Sequence, residues 1–262
     1  MDANESIKEG VELAARYALM PSKLGFCRNR KEMVLIENVF ANYLEGKVIL
    51  DDLEAELRKL PTCFAYLNLI ARACNKEIFD HNVVEAYWVG NELLENFDSC
   101  LMEQFLLERL IKRKLPEDYA KGISKTLAQD TIPHHSFHVL LERFALGKTN
   151  SELSIMNNCR IGWGQIFGIK DETLNIIASE ILFNCENKFE LIEKYENKKT
   201  AYKLGKFKSI DEPRIGDWVS MHWGFAVQRL NEKQLGNLKK YTNRNLGALN
   251  KLNGGCKLNK SA

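Results

Sequence analysis

RIGWGQIFGIKDETLNIIASEILF, residues 160–183, is the stretch that decides the fold class. It is rich in Ile, Phe and Trp and is broken by glycines and by Lys170-Asp171, the pattern of short strands joined by turns. Everything before it, from Met1 to about Asn158, follows a helical period instead. Residues 82–97 carry that period most clearly: Val83, Tyr87, Gly90, Leu94 and Phe97 recur at three- and four-residue steps, while Glu85, Glu92 and Glu95 take polar positions. Gly90 within the stripe implies a close helix crossing, because an interior glycine costs about 1 kcal/mol relative to alanine. Residues 100–112, CLMEQFLLERLIK, form a second amphipathic run. After the strand-like stretch, residues 187–208 alternate weakly, with Glu196-Asn197-Lys198 as the expected hairpin tip. The lysines there read either as an anionic-ligand surface or as the solvated face of exposed strands. A helix resumes after Asn231, which is spaced as an N-cap from Gln234 in a capping box.

The chain therefore reads as an α+β protein. A mainly helical N-terminal body covers 1–158, and a small antiparallel β-insert covers 159–212. A C-terminal segment with a closing helix over 213–252 packs back on the body, so the whole forms one unit. Residues 253–262 have nothing to bury and read as a disordered tail.

Composition narrows the function classes. The 262 residues carry 37 Lys plus Arg against 35 Asp plus Glu, a net charge of +2. That balance gives no reason to expect nucleic acid or an anionic membrane surface as partner. Seven cysteines are scattered without a CxxC pair, which argues against a zinc ribbon and against a disulfide framework. The start is acidic where a signal peptide would be basic, and no apolar run approaches ~18 residues. A reducing, cytoplasmic setting is the expectation.

Three of the five histidines fall in Pro133-His134-His135-Ser136-Phe137-His138, which opens the apolar run VLLERFAL. If a helix starts at Pro133, His134 and His138 stand four apart on one face, and Glu142 extends the row. Such a pair can offer two nitrogen ligands to a transition-metal ion, completed by a carboxylate or thiolate from elsewhere. The competing reading is a helix start whose imidazoles satisfy backbone groups. His222 lies between Trp218 and Trp223, and a low-dielectric setting there would keep its imidazole neutral for ligation. Its alternative is a tryptophan-rich seam with Asp217 holding a turn. Cys27 sits in a glycine-containing loop beside Arg28, and Cys159 beside Arg160; a neighbouring guanidinium favours a thiolate in each. Cys63, Cys74 and Cys100 fall in amphipathic runs and read as core. Arg16, Tyr17, Trp88 and Asn91 are further pocket candidates, with Trp163 and Trp223 as walls.

Several segments together resemble a family of unknown function: ARYA at 15–18 with LGFC at 24–27, AYLNLIA at 65–71, VEAYWVGN at 84–91, PHHSFH at 133–138, CRIGWG at 159–164 and GDWVSMHW at 216–223. The resemblance runs from about residue 13 to 250. This sequence departs from the family pattern at Arg28-Asn29, where Gly-Pro would stand, and at Gly162, where arginine is usual. The family resembles one met beside nickel–iron hydrogenase genes, which implies an accessory or maturation role with hydrogenase subunits or maturation proteins as partners. In that reading His134, His138 and His222 are candidate metal ligands and Cys27 a candidate thiolate. The rival is a metal-dependent enzyme acting on a small substrate in the same pocket, with His135 or Glu142 moving protons. A structural assembly factor without metal is the third reading.

Overall fold

Asp2 opens the first helix by accepting a hydrogen bond from the Glu5 N–H at 2.8 Å, which satisfies one of the donors a helix start leaves free. In the computed structural model, which describes residues 2–26, 36–145 and 153–255, this helix is α1, Ala3–Lys23. A helical body follows: α2 (Ile36–Leu44), α3 (Leu50–Arg58), α4 (Pro61–Cys74), α5 (His81–Trp88), α6 (Ser99–Lys112) and α7 (Glu117–Asp130). Pro61 occupies the first turn of α4, where its missing N–H costs nothing, and Asn75 ends that helix in the left-handed conformation. Asp80 caps α5 through the Asn82 N–H at 2.9 Å.

Gly90 does not lie inside a helix. It follows the end of α5 with φ of +94°, where a side chain would overlap the Tyr241 ring. The close approach expected from the sequence is real, but it is made at a helix end by the closing helix.

After α7 comes the single turn α8 (His135–Phe137), which passes into a π-helix over His138–Ala145. Pro133 lies one residue before the cap of that turn, and His134 is the cap itself. Next, α9 (Leu153–Cys159) leads into the β-unit: β1 (Gly162–Lys170), β2 (Thr173–Phe183), β3 (Phe189–Ala201), the short pair β4 (Lys203–Leu204) and β5 (Phe207–Lys208), then β6 (Trp218–His222) and β7 (Phe225–Leu230). Glu196-Asn197-Lys198 is not a hairpin tip. β3 runs through it, the ladder to β2 shifting register between the pairs Ile176–Lys198 and Ala178–Lys194, and the turn lies at 184–188, where the Asn184 side chain accepts from the N–H groups of Glu186 and Lys188. Asx-type capping of this kind competes well with longer strands.

Five strands close a barrel in the order β1-β2-β3-β7-β6. The strand unit thus reaches Leu230 rather than ending near residue 212. Ile166, Leu174, Ile176, Val219 and Met221 belong to one buried cluster in the barrel. Trp163, Ile181, Phe225 and Val227 belong to the larger cluster shared with the helices, so alternate strand residues serve two cores. Gly164 permits the β1–β2 contact, since a Cβ there would meet Ile176 and the Ile177 carbonyl. The closing helix α10 (Glu232–Gly255) begins with the expected box: Asn231 accepts from the Gln234 N–H at 2.8 Å, and Gln234 accepts from the Asn231 N–H at 3.1 Å. Its Leu238, Tyr241, Leu246 and Leu249 enter the large core. Asn253 to Gly255 continue this helix, and the rest of the expected tail lies outside the described residues.

Candidate functional site

His134 lies outside the group of ligand atoms that converge in the structure, although its Nε2 is buried without a hydrogen-bond partner. Its Nδ1 accepts from the Ser136 N–H at 3.3 Å and lies 2.7 Å from the Ser136 hydroxyl, so the ring caps the α8 turn. The ring is fully buried, which pushes its pKa down to about 3 and keeps it neutral. His138, four residues on, faces elsewhere. Its Nδ1 donates to the Glu142 carboxylate at 3.0 Å.

Glu142 is a buried anion with a full set of partners. One carboxylate oxygen accepts from Arg109 at 2.6 Å and Arg113 at 2.8 Å; the other accepts from the Tyr66 hydroxyl at 2.8 Å and from His138. Against the cost of burial, His138 and Arg109 hold its pKa down, to about 2. A carboxylate so fixed orients imidazole rather than exchanging protons itself. The π-helix that carries His138, Glu142 and Arg143 is a rare conformation, frequently found where function resides.

The structure brings His135, Cys159 and His222 together, with ligand atoms all within 4.8 Å of one another and all three residues buried. They arrive from three element ends: the first residue of α8, the last of α9 and the last of β6. The hydrogen bonds fix the tautomers, because a backbone carbonyl can only accept. His135 Nε2 donates to the Cys159 carbonyl at 2.9 Å, which leaves Nδ1 as the acceptor, 3.0 Å from the Tyr87 hydroxyl. His222 Nδ1 donates to the Tyr17 carbonyl at 2.7 Å, which leaves the Nε2 lone pair buried and without a hydrogen-bond partner. An imidazole anchored by one N–H on a carbonyl, with the opposite nitrogen bare, is the arrangement metal-bound histidines adopt. Burial pushes both pKa values down, that of His222 to about 4 and that of His135 well below its ordinary value, so neither ring carries charge at neutral pH. Burial raises the Cys159 thiol, opposed in part by the Arg143 guanidinium, whose Nη1 lies 3.6 Å from Sγ.

Arg160 does not serve that thiol. Its guanidinium turns away, donates to the Ser179 carbonyl and lies over Trp163, so the arginine beside Cys159 in space comes from the π-helix.

A cavity of about 320 Å³ opens over the group. His135 and Cys159 form part of its lining, with Trp88, Tyr87, Phe26, His138 and Arg143 around them. Of the pocket residues expected from sequence, only Trp88 is in the described lining. Tyr17 stacks behind Trp88 at 5.0 Å, and Trp223 stacks on Phe26 at 3.9 Å, so both back the wall without forming it. Trp223 holds φ of +53° in the two-residue turn between β6 and β7, which the stack on Phe26 helps to fix. Asn91 caps a short 3₁₀ turn through the Leu93 N–H and bonds Asn82 and Glu85. Trp163 lies in the core against Arg160, and Arg16 is half-buried away from the cavity. Cys27 lies outside the described residues. Cys63 joins the cavity lining, whereas Cys100 is exposed rather than core.

Among the described residues, no helix is long and apolar enough to cross a membrane. No curated protein and no solved structure shows significant similarity to the chain. A family model does, over residues 6–255, and by that match the chain belongs to the family of unknown function DUF6390.

Proposed function

We propose that this protein holds a borderline-soft transition-metal ion on Cys159, His222 and His135, which gives up one of its two hydrogen bonds to ligate, as a cytoplasmic accessory or maturation factor of a nickel–iron hydrogenase system. One observation carries the metal part: a buried imidazole nitrogen without a partner, His222 Nε2, in a group whose ligand atoms lie within 4.8 Å. Two imidazoles and a thiolate suit zinc, nickel or copper rather than magnesium or calcium. The hydrogenase part rests on the sequence resemblance alone, and its partners in that reading are hydrogenase subunits or maturation proteins. Metal binding releases the Cys159 proton, and Arg143 then faces a thiolate.

The test is metal stoichiometry on protein purified without an affinity histidine tag and reconstituted with Ni²⁺ or Zn²⁺. Wild type should hold about one ion per chain, and His222→Ala and Cys159→Ser should hold almost none. Equal, near-background metal in all three proteins would leave the assembly-factor reading in its place. For the hydrogenase link, deletion in a host with that enzyme should yield under-metallated hydrogenase.

A metal-dependent enzyme is the second reading. His135 and Cys159 line the cavity with His222 beside them, so an ion on the three would keep a coordination position toward it for substrate or water, and His138, hydrogen-bonded to Glu142, lines the same cavity. Turnover of a small substrate would separate it from the accessory role.

A further inference from the structure

The arginines around the π-helix differ in what they face. Arg109 and Arg113 both donate to Glu142, so the one buried carboxylate is already matched by two guanidiniums. Arg143 is next in sequence, yet among the described residues no carboxylate meets it. Its contacts are the Cys159 thiol at 3.6 Å and the Phe26 ring at 5.9 Å, and it is half-buried in the cavity lining. Among the described residues, Arg109, Arg113 and Arg143 thus set three guanidinium charges against the single Glu142 carboxylate.

One side of the lining is apolar, made by Ala18, Pro21, Leu60, Pro61 and Trp88, while Thr62, Tyr87, His135 and His138 add polar groups beside Arg143. A guanidinium offers a planar fork that matches a carboxylate in two parallel hydrogen bonds, and low dielectric strengthens the pair. At about 320 Å³ the cavity stands at the small end of ligand sites, which run roughly 300–1,000 Å³. Head group and wall together fit a short-chain monocarboxylate, with the carboxylate on Arg143 and the tail against Pro21, Leu60 and Trp88.

We infer that the cavity is a binding site for a small apolar carboxylate, read by Arg143. The location beside a metal rests on the proposed function above; the head-group contact does not, because Arg143 needs no metal to bind an anion.

Hexanoate and its neutral counterpart hexanamide are the probes, titrated calorimetrically into full-length protein first stripped of metal with EDTA. Metal-free wild type should bind hexanoate saturably and at least about tenfold more tightly than hexanamide. Arg143→Gln should lose that preference, and Arg143→Lys should keep part of it, because the charge remains without the fork. The hexanoate–hexanamide comparison is made on wild type, so it stands even if a variant fails to fold. Equal affinity for the acid and the amide, or no binding of either, would overturn the inference. Hexanoate binding that appears only after metal loading would overturn it too, since the metal would then be the anion's partner. Metal content, measured on separate reconstituted samples, decides the metal reading independently of these outcomes.

Discussion

His222 Nδ1 stands 2.7 Å from the carbonyl oxygen of Tyr17, a bond that ties β6 to the first helix across 205 positions of sequence. The carbonyl can only accept, so the bond places the ring proton on Nδ1 and turns the Nε2 lone pair toward His135 and Cys159. The Tyr17 hydroxyl, 2.9 Å from the Ser220 hydroxyl, fixes the same strand a second time. One helical residue thus sets both the position and the chemistry of the imidazole.

Replacing that imidazole separates stability from binding. His222→Ala leaves the Tyr17 carbonyl without its donor and should cost about 1–3 kcal/mol. Urea unfolding should register that loss beside the loss of metal. His138→Ala, by contrast, should retain metal, because His138 lies outside the three-residue group. Loss of metal in His138→Ala with the fold intact would contradict the assignment.

Glu142→Gln should be among the most damaging single changes. The carboxylate is buried and accepts from Arg109, Arg113, Tyr66 and His138, so its removal leaves two guanidiniums facing a neutral amide. Breaking one side of a buried ion pair costs about 3–5 kcal/mol. A shift in the urea midpoint equivalent to less than about 1 kcal/mol would show that Glu142 is not the anchor of the π-helix.

Acid should destabilise the apo protein well above the carboxylate range. His134 and His222 titrate near 3 and 4 when folded but near 6.5 when unfolded, so the unfolded chain takes up protons first as pH falls. Their stability is full above pH 6.5 and is lost as pH falls to about 4 for His222 and to about 3 for His134, on the order of 3 kcal/mol or more for each ring. Below about 4.5, Glu142 adds a further loss, since its folded pKa lies near 2. Chemical unfolding at pH 7.5, 6 and 5 tests the sign, and a flat profile across that range would refute it.

Two glycines should respond oppositely to alanine. At Gly90 a Cβ would overlap Tyr241 and sit on a backbone with φ of +94°, so Gly90→Ala should cost about 2–5 kcal/mol. Gly236 is an exposed glycine in α10 with open space where a Cβ would go, and Gly236→Ala should stabilise by about 0.4–1 kcal/mol. Thermal melts of the two variants should therefore move in opposite directions.

The change from helix to strand after Cys159 was legible because apolar period is a local property. So was the Asn231–Gln234 box, which spans one turn. The Glu196 turn misled because Asn and Lys also occur in exposed strands, and what ends β2 is the Asn184 side chain bonding its own loop. Within the 134–138 histidine cluster, the i, i+4 pair expected from the sequence is not what the structure sets beside Cys159 and His222; His135 is. An i, i+4 relation presumes a helix already running at His134, whereas His134 caps the turn and His135 points inward. The pairing of His135 with Cys159 and His222, and the approach of Arg143 to Cys159, depend on how the barrel seats against the helices. No local pattern carries that information.

Closure of the barrel has a consequence in time. His222 ends β6, the strand that pairs with β1 to complete the ring, and its ring is oriented by a carbonyl on α1. A chain still emerging from the ribosome holds His135 and Cys159 long before it holds His222. The three groups therefore converge only once β6 has been made and docked. Cargo bound here would report that assembly is finished, and refolding followed by stopped flow should find metal uptake lagging behind barrel formation rather than leading it.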